Sequence, residues 1–499
     1  MVSFVRFVPM PRLILLRLMA SAVVPLFALR AQAPSVPVGC THTLDSLDAR
    51  LRRNYAGFQL EVVTTRRSGY ERALATARSD ASIAGTDATA CTAALRRYIA
   101  FFSDPHLFLF QNTAVDTAGN RRRRESLRRD QRDEAALRAE WSAPTSARDP
   151  LEGIWRDGAL RVAVVRERPR SDTLIAIVLA SDTSIWPVGG VRARFVREGD
   201  GRYGAQLLTR HFGEQQLTAT LHRRNILRFS PGMWGREYPV PDREADVAPA
   251  PDPRRPRLAV REQSVVIAIP SHDGPYQRVI DSLVAVHRNA LMRTRLIIVD
   301  VRGNEGGGSL TTRALHPFIV SAERRPTPFD SGSAMILSSP EQQDYVRRIS
   351  GTSPSPAATR LLARMDSNPG RLVPFSDEAP SAAFSPTPID GPFKVAILTD
   401  GGTVSAAEVT VLMGLRSTRA TVVGEPTAGA LDYQSTSIIG LGTGDRRWAL
   451  GYPTITAHAD LPARGMRGKG IAPQVPIAWK DVDDAYAAVE RLMLNEGRR

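Results

Sequence analysis

Lysine is almost missing from this chain. Among 499 residues it occurs three times, at Lys394, Lys469 and Lys480, so a lysine-based mechanism has three candidates. Cysteine occurs twice, at Cys40 and Cys91. No cysteines are spaced for zinc and no His-Glu-x-x-His is present, so neither a metal nor a cofactor is expected. No Gly-Lys-Ser/Thr follows a glycine-rich turn, which removes a P-loop. Aromatic residues are scarce, at 6%, and none interleave the densest basic run, Arg121 to Arg124. The acids that follow, from Glu125 to Glu134, make that run a solvated helix face, and no nucleic-acid partner is expected despite a net charge of +15. With 42% apolar and 23% charged residues, the chain is neither disordered, collagenous nor a multi-span membrane protein.

Residues 1–33 have the three parts of a secretory signal peptide: an arginine-bearing start, an apolar stretch from about Leu13 to Leu29, and the small-residue end Ala31-Gln32-Ala33. Arg17 leaves too short an uninterrupted apolar run to span a bilayer comfortably. A cleaved signal, no stable membrane span after its removal and an extracytoplasmic bacterial location are expected; an uncleaved anchor and a lipoprotein at Cys40 are the alternatives. In an exported protein two cysteines suit one disulfide, Cys40 to Cys91, with two buried free thiols as the alternative.

The periodicity divides the remainder. Leu44, Leu47, Leu51 and Tyr55, then Tyr70, Leu74, Leu95, Tyr98, Ile99 and Phe102, fall at helical spacing and predict a helical domain over 40–112, ending in Asp104-Pro105-His106. A charged helical connector (113–149) follows. Over 150–238, six short β-branched and apolar runs between turn residues predict a barrel or sandwich: Leu160–Val165, Thr173–Leu179, Arg192–Val196, Tyr203–Leu208, Leu217–Leu221 and Ile226–Phe229. Residues 239–257 are proline-rich and read as a linker. From 258 to 499, strands (Ser264–Ile269, Arg295–Val301, Phe393–Thr399) alternate with helices (Gln277–Leu291, Ser405–Leu415), the pattern of an α/β core with a mostly parallel sheet. Ligands in such folds bind at the carboxyl ends of the strands, where the two glycine-rich loops lie.

Those loops carry the chemistry. After one strand comes Gly306-Gly307-Gly308, whose bare backbone suits an oxyanion hole. After another comes Gly401-Gly402-Thr403-Val404-Ser405-Ala406-Ala407-Glu408, which sets Ser405 at a helix start, where the positive end of the helix favours a nucleophile. The plainer alternative is that Ser405 caps the helix and Glu408 completes a capping box. Further on stand Gly424-Glu425-Pro426-Thr427-Ala428-Gly429-Ala430-Leu431-Asp432 and Gly468-Lys469-Gly470-Ile471-Ala472-Pro473.

In wording and order these motifs resemble the tail-specific (C-terminal processing) serine peptidases and the related tricorn core protease. The resemblance covers the Asp-Pro-His segment and about 258–480; no PDZ module is evident. It implies a crotonase-like (Clp-protease/crotonase) core and hydrolysis of a peptide or protein substrate. Ser405 falls on the family nucleophile, and Gly306, Gly307, Gly308 and Ala406 on its oxyanion hole, of which Gly307 and Ala406 are expected to hold the oxyanion. The tail-specific lysine is replaced by Ala430. The tricorn-like histidine is matched by His106, the expected general base, with His272 and Lys469 as rivals. The serine before that histidine is Pro105 here, and the late glutamate is Arg467. The orienting carboxylate is therefore assigned to Asp432, or else to Asp104. The rival reading is a catalytically impaired protein that binds peptides or other ligands on the same scaffold. The oligomeric state is not legible.

Overall fold

The computed structural model describes residues 39–495, apart from short segments at 143–147, 182–184, 200, 223–224, 230–231, 240–251, 328–333, 378–385, 442–446, 462, 464 and 483. The signal reading at 1–33 and most of the proline-rich segment lie outside the described residues. The fold mixes helices and sheets in two compact units. Of the described residues, one unit comprises those within 39–110, 271–293 and 304–477; the other comprises those within 111–270, 294–303 and 478–495.

The first unit begins with helices Cys40–Asn54, Arg67–Ala84 and Ala88–Ala100. The stripe Leu44, Leu47 and Leu51 is at most 1% exposed, each side chain contributing about 1.5–3 kcal/mol. Cys40 and Cys91 form a disulfide with a Cα–Cα distance of 5.5 Å, joining the first of these helices to the third. One element is not legible in the pattern: Phe58–Arg66 is a π-helix, and it turns Glu61 inward to 3% exposure.

Within this unit, Lys394–Thr399 runs parallel to Ala420–Gly424, which runs parallel to Val475–Pro476. The helix Ala406–Arg416 connects the first two. Gly414 lets it lie close to the sheet, because a Cβ there would meet Ile397 at 2.3 Å. A five-stranded sheet accompanies them, in which Trp448–Thr456 pairs antiparallel with both Tyr433–Gly440 and Met335–Leu337. The helix expected over Gln277–Leu291 is two, Gln277–Val286 and Arg288–Arg293, with the break at His287.

The second unit is built on a closed barrel of eight antiparallel strands. Besides the six expected runs it contains Gly153–Asp157 and Gly232–Tyr238, and these two pair to close the barrel. Trp155, Phe195, Tyr203, Leu227 and Trp234 belong to one buried cluster. The arginine run lies on helix Thr117–Glu125 with Arg121, Arg122 and Arg124 exposed, while Arg123 donates to the Phe212 carbonyl at 2.8 Å. Strand Leu296–Asp300 is fully buried and parallel to Val265–Ala268. Asp300 at its end takes two hydrogen bonds from the Arg302 guanidinium, at 3.0 and 2.8 Å, and one from Tyr486 at 2.7 Å. No helix among the described residues is long and apolar enough to cross a membrane.

Candidate active site

Ser405 occupies the sharp turn between strand Lys394–Thr399 and helix Ala406–Arg416, with φ +55° and ψ −115°. A non-glycine residue with positive φ costs energy, and such strain persists only where its surroundings hold it. Here the Ser405 amide donates to Glu408 Oε2 at 2.8 Å. The Glu408 amide goes to the Ser405 carbonyl at 2.9 Å, and Ser405 and Glu408 form the capping box that their spacing suggested. The preceding residue is held as well: the Val404 amide donates to the Asn304 carbonyl at 2.8 Å.

Oγ is used by His106. Its Nε2 lies 3.0 Å from Ser405 Oγ, across 299 residues of sequence. For Nε2 to accept the serine proton, the neutral ring carries its own proton on Nδ1. That Nδ1 is buried, and no side chain among the described residues hydrogen-bonds it. Burial pushes the imidazole below its ordinary value of 6.5, and the Glu408 carboxylate and the backbone of Tyr433 and Ala430 offset this only in part.

The carboxylates expected to orient His106 are aimed elsewhere. Asp432, 4% exposed, accepts from the amides of Met466 at 2.8 Å and Arg467 at 3.0 Å. It anchors its loop through a backbone donor on each oxygen, and no hydrogen bond joins it to the His106 ring among the described residues. Asp104 accepts from the His106 main-chain amide at 2.8 Å and from the Tyr55 hydroxyl at 2.8 Å, not from the ring. Arg467, in the place of the family glutamate, is paired with Glu61, which also accepts from the Tyr433 hydroxyl at 2.6 Å.

The rival bases are likewise spoken for. His272 is fully buried; Asn304 donates to its Nδ1 at 2.7 Å and its Nε2 meets Thr410 Oγ1 at 3.3 Å. Both ring nitrogens are committed, and burial lowers its pKa to about 4. Lys469 is exposed in its turn.

Of the expected oxyanion donors, two are engaged in structure. The Gly306 amide donates to Asn304 Oδ1 at 2.8 Å, and the Gly308 amide to the His272 carbonyl at 2.8 Å. Gly307, bridged in parallel to His272, turns its own amide away from that neighbour. Ala406 supplies a first-turn amide, which the helix itself cannot satisfy. The glycine loop lies against the serine: a Cβ on Gly306, at φ +91°, would meet Ser405 Cβ at 2.8 Å and the Ala406 nitrogen at 3.1 Å.

Two residues at the site were not singled out from sequence for the roles they have. Glu408, fully buried, also accepts from Thr427 Oγ1 at 2.6 Å and from the amides of Gly429 and Ala430 at 2.7 and 2.9 Å. Its sequence signal was the capping spacing from Ser405. Asn304, also fully buried, ties the glycine loop to His272 and to the turn before Ser405, and no sequence signal marked it. Among the described residues no group of His, Cys, Asp or Glu side chains is arranged to hold a metal ion.

The whole arrangement offers a hydroxyl, a base on that hydroxyl, and backbone donors beside it, which is the equipment of acyl transfer. A search of curated proteins finds no match. Among solved structures the chain is similar to mature CPAF, with 10% identity over 92% of this chain and 98% of that one and a TM-score of 0.47. It is also similar to the photosystem II D1 C-terminal processing protease (13% identity, 92% and 98% covered, TM-score 0.34) and to the tricorn protease (11% identity, 92% and 37% covered, TM-score 0.38). Residues 265–477 match the family model of peptidase family S41, and this match indicates a serine-type peptidase.

Proposed function

We propose that this peptidase works through a Ser405–His106 dyad, and that it acts outside the cytoplasm on peptide or protein substrates. His106 Nε2 takes the proton from Ser405 Oγ as the oxygen attacks a peptide carbonyl. The amides of Gly307 and Ala406 receive the negative oxygen that forms. Collapse expels the amine, which takes its proton from His106, and leaves an acyl-enzyme; His106 then deprotonates the water that releases the acid. The observation that carries this reading is the 3.0 Å contact between Nε2 and Oγ on a strained turn. A crotonase-like core is proposed with it, supported by the family match and by parallel strands crossed by helix Ala406–Arg416. Export is supported by the leader pattern at 1–33 and by the Cys40–Cys91 disulfide.

One observation favours the rival, a catalytically impaired ligand-binding protein: among the described residues no carboxylate sits on His106 Nδ1 to stabilise an imidazolium. A fluorophosphonate probe read by intact mass separates the two. Labelling of the wild type, abolished in Ser405→Ala and in His106→Ala, is the expected result. A folded wild type that takes no label overturns the peptidase reading in favour of the binding protein. Labelling that survives His106→Ala removes His106 from the base role.

A further inference from the structure

We propose that Asp104 is the positioning residue of the general base, and that it works through the main chain of His106 rather than through its ring. The inference rests on the Ser405–His106 reading.

In a serine–histidine–carboxylate site, the carboxylate fixes the imidazole by holding its second nitrogen. Here, among the described residues, no carboxylate holds that nitrogen, and the ring's position depends on how its backbone is held. Three restraints meet on the His106 backbone. The carboxylate of Asp104 accepts the His106 amide at 2.8 Å, two residues on, in the manner of an Asx-turn. Pro105 fixes φ between them, and the Leu107 amide closes the turn onto the Asp104 carbonyl at 3.0 Å. The other oxygen of Asp104 is held by the Tyr55 hydroxyl at 2.8 Å.

Tyr55 is itself immobilised. It is 1% exposed and packs against Phe102 and Tyr433 at ring distances of 5.7 and 5.3 Å. It directly follows helix Cys40–Asn54, and Asp104 lies four residues beyond helix Ala88–Ala100. These are the two helices that the disulfide joins. The base is thus aimed by a buried chain from Tyr55 to Asp104 to the His106 backbone. Asp104 is 8% exposed, and its desolvation is offset only in part by these two donors.

The test compares Asp104→Asn with Asp104→Ala. Asparagine keeps an oxygen for the His106 amide and an N–H for the Tyr55 oxygen; alanine keeps neither. Rate constants of fluorophosphonate acylation are measured on the full chain and normalised to folded protein. Asp104→Asn is expected within about two-fold of wild type and Asp104→Ala slower by roughly 10- to 100-fold, the cost of a base displaced by about an ångström. A carboxylate acting on the ring would instead make Asn nearly as damaging as Ala, and that result overturns the proposal. So does acylation of folded Asp104→Ala at the wild-type rate. A second readout does not depend on acylation: exchange of the His106 amide proton in ¹⁵N-histidine-labelled protein, assigned with His106→Ala. Protection in wild type and Asp104→Asn, with exchange about ten-fold faster or more in Asp104→Ala, supports the clamp. Equal exchange in wild type and Asp104→Ala overturns it. If the wild type takes no label while the amide behaves as expected, the dyad reading fails and the clamp stands.

Discussion

The Ser405 amide donates to the Glu408 carboxylate at 2.8 Å, and that one carboxylate also carries the Thr427 hydroxyl and the amides of Gly429 and Ala430. The strained turn of Ser405 and the loop at Ala430 are therefore fastened to a single buried group. Glu408→Gln keeps the shape but turns an N–H₂ toward groups that donate. We expect it to cost about 3 kcal/mol of stability, as an unsatisfied buried polar group does. Acylation of Ser405 is expected to fall with it; denaturant melts and probe labelling of the same samples check both.

Gly306→Ala places a methyl group 2.8 Å from Ser405 Cβ, at a φ that L-residues rarely adopt. Because the atoms it meets include backbone, the loop has to shift, and the donors beside Ser405 shift with it. The expected outcome is a folded protein whose acylation rate drops by about 10²-fold or more, the scale of losing an oxyanion donor. Retention of the wild-type rate would remove this loop from the site.

The pH dependence of acylation follows from His106. A base is active when unprotonated, and burial holds this imidazole below 6.5. The acid limb of the acylation profile is therefore expected below pH 6.5, with reactivity persisting into mildly acidic solution. A limb at or above 6.5 would mean that an unseen carboxylate supports the ring.

Asp104 has the opposite displacement. Burial raises its carboxyl from 3.8 to about 6, so the folded chain binds this proton more tightly than the unfolded one. Its contribution to stability falls as pH rises from about 4 to about 6, and is constant on either side. Asp104→Asn has no such dependence. The stability of the variant relative to wild type is expected to increase across that window by up to roughly 3 kcal/mol, and melts at pH 4, 5 and 7 measure it.

The disulfide closes a loop with a sequence separation of 51. Chain entropy gives such a crosslink about 4 kcal/mol. Replacing both cysteines by serine is expected to lower the denaturation midpoint accordingly. Because Tyr55 and Asp104 lie just beyond the two crosslinked helices, the acylation rate should fall as well.

The legibility of the sequence differed by kind of interaction. Ser405 and His106 stand in motifs whose wording is local, so a one-dimensional reading reaches them. Asn304 acts by side-chain bonds to the His272 ring and the Gly306 amide, and Glu408 by bonds to the backbone of another loop; such partners leave no trace in spacing, and Glu408 could be seen only as a helix cap. Asp432 stands beside the vacated lysine position, but the amides of Met466 and Arg467 claim it, 34 and 35 residues away. Six barrel strands were visible as β-branched and apolar runs. Gly153–Asp157 and Gly232–Tyr238 were not, because glycine and charged residues interrupt them. The π-helix at Phe58–Arg66 carries a sequence that helical spacing alone reads as ordinary helix.

The hydroxyl and its base are 299 residues apart in the chain, with the whole barrel encoded between them. A ribosome delivers the imidazole long before it delivers the serine. Every truncated product ending short of residue 405 therefore carries a base with nothing to deprotonate. On the proposed dyad, an interrupted synthesis releases no stray protease, and the order of the genetic message itself acts as a safety catch.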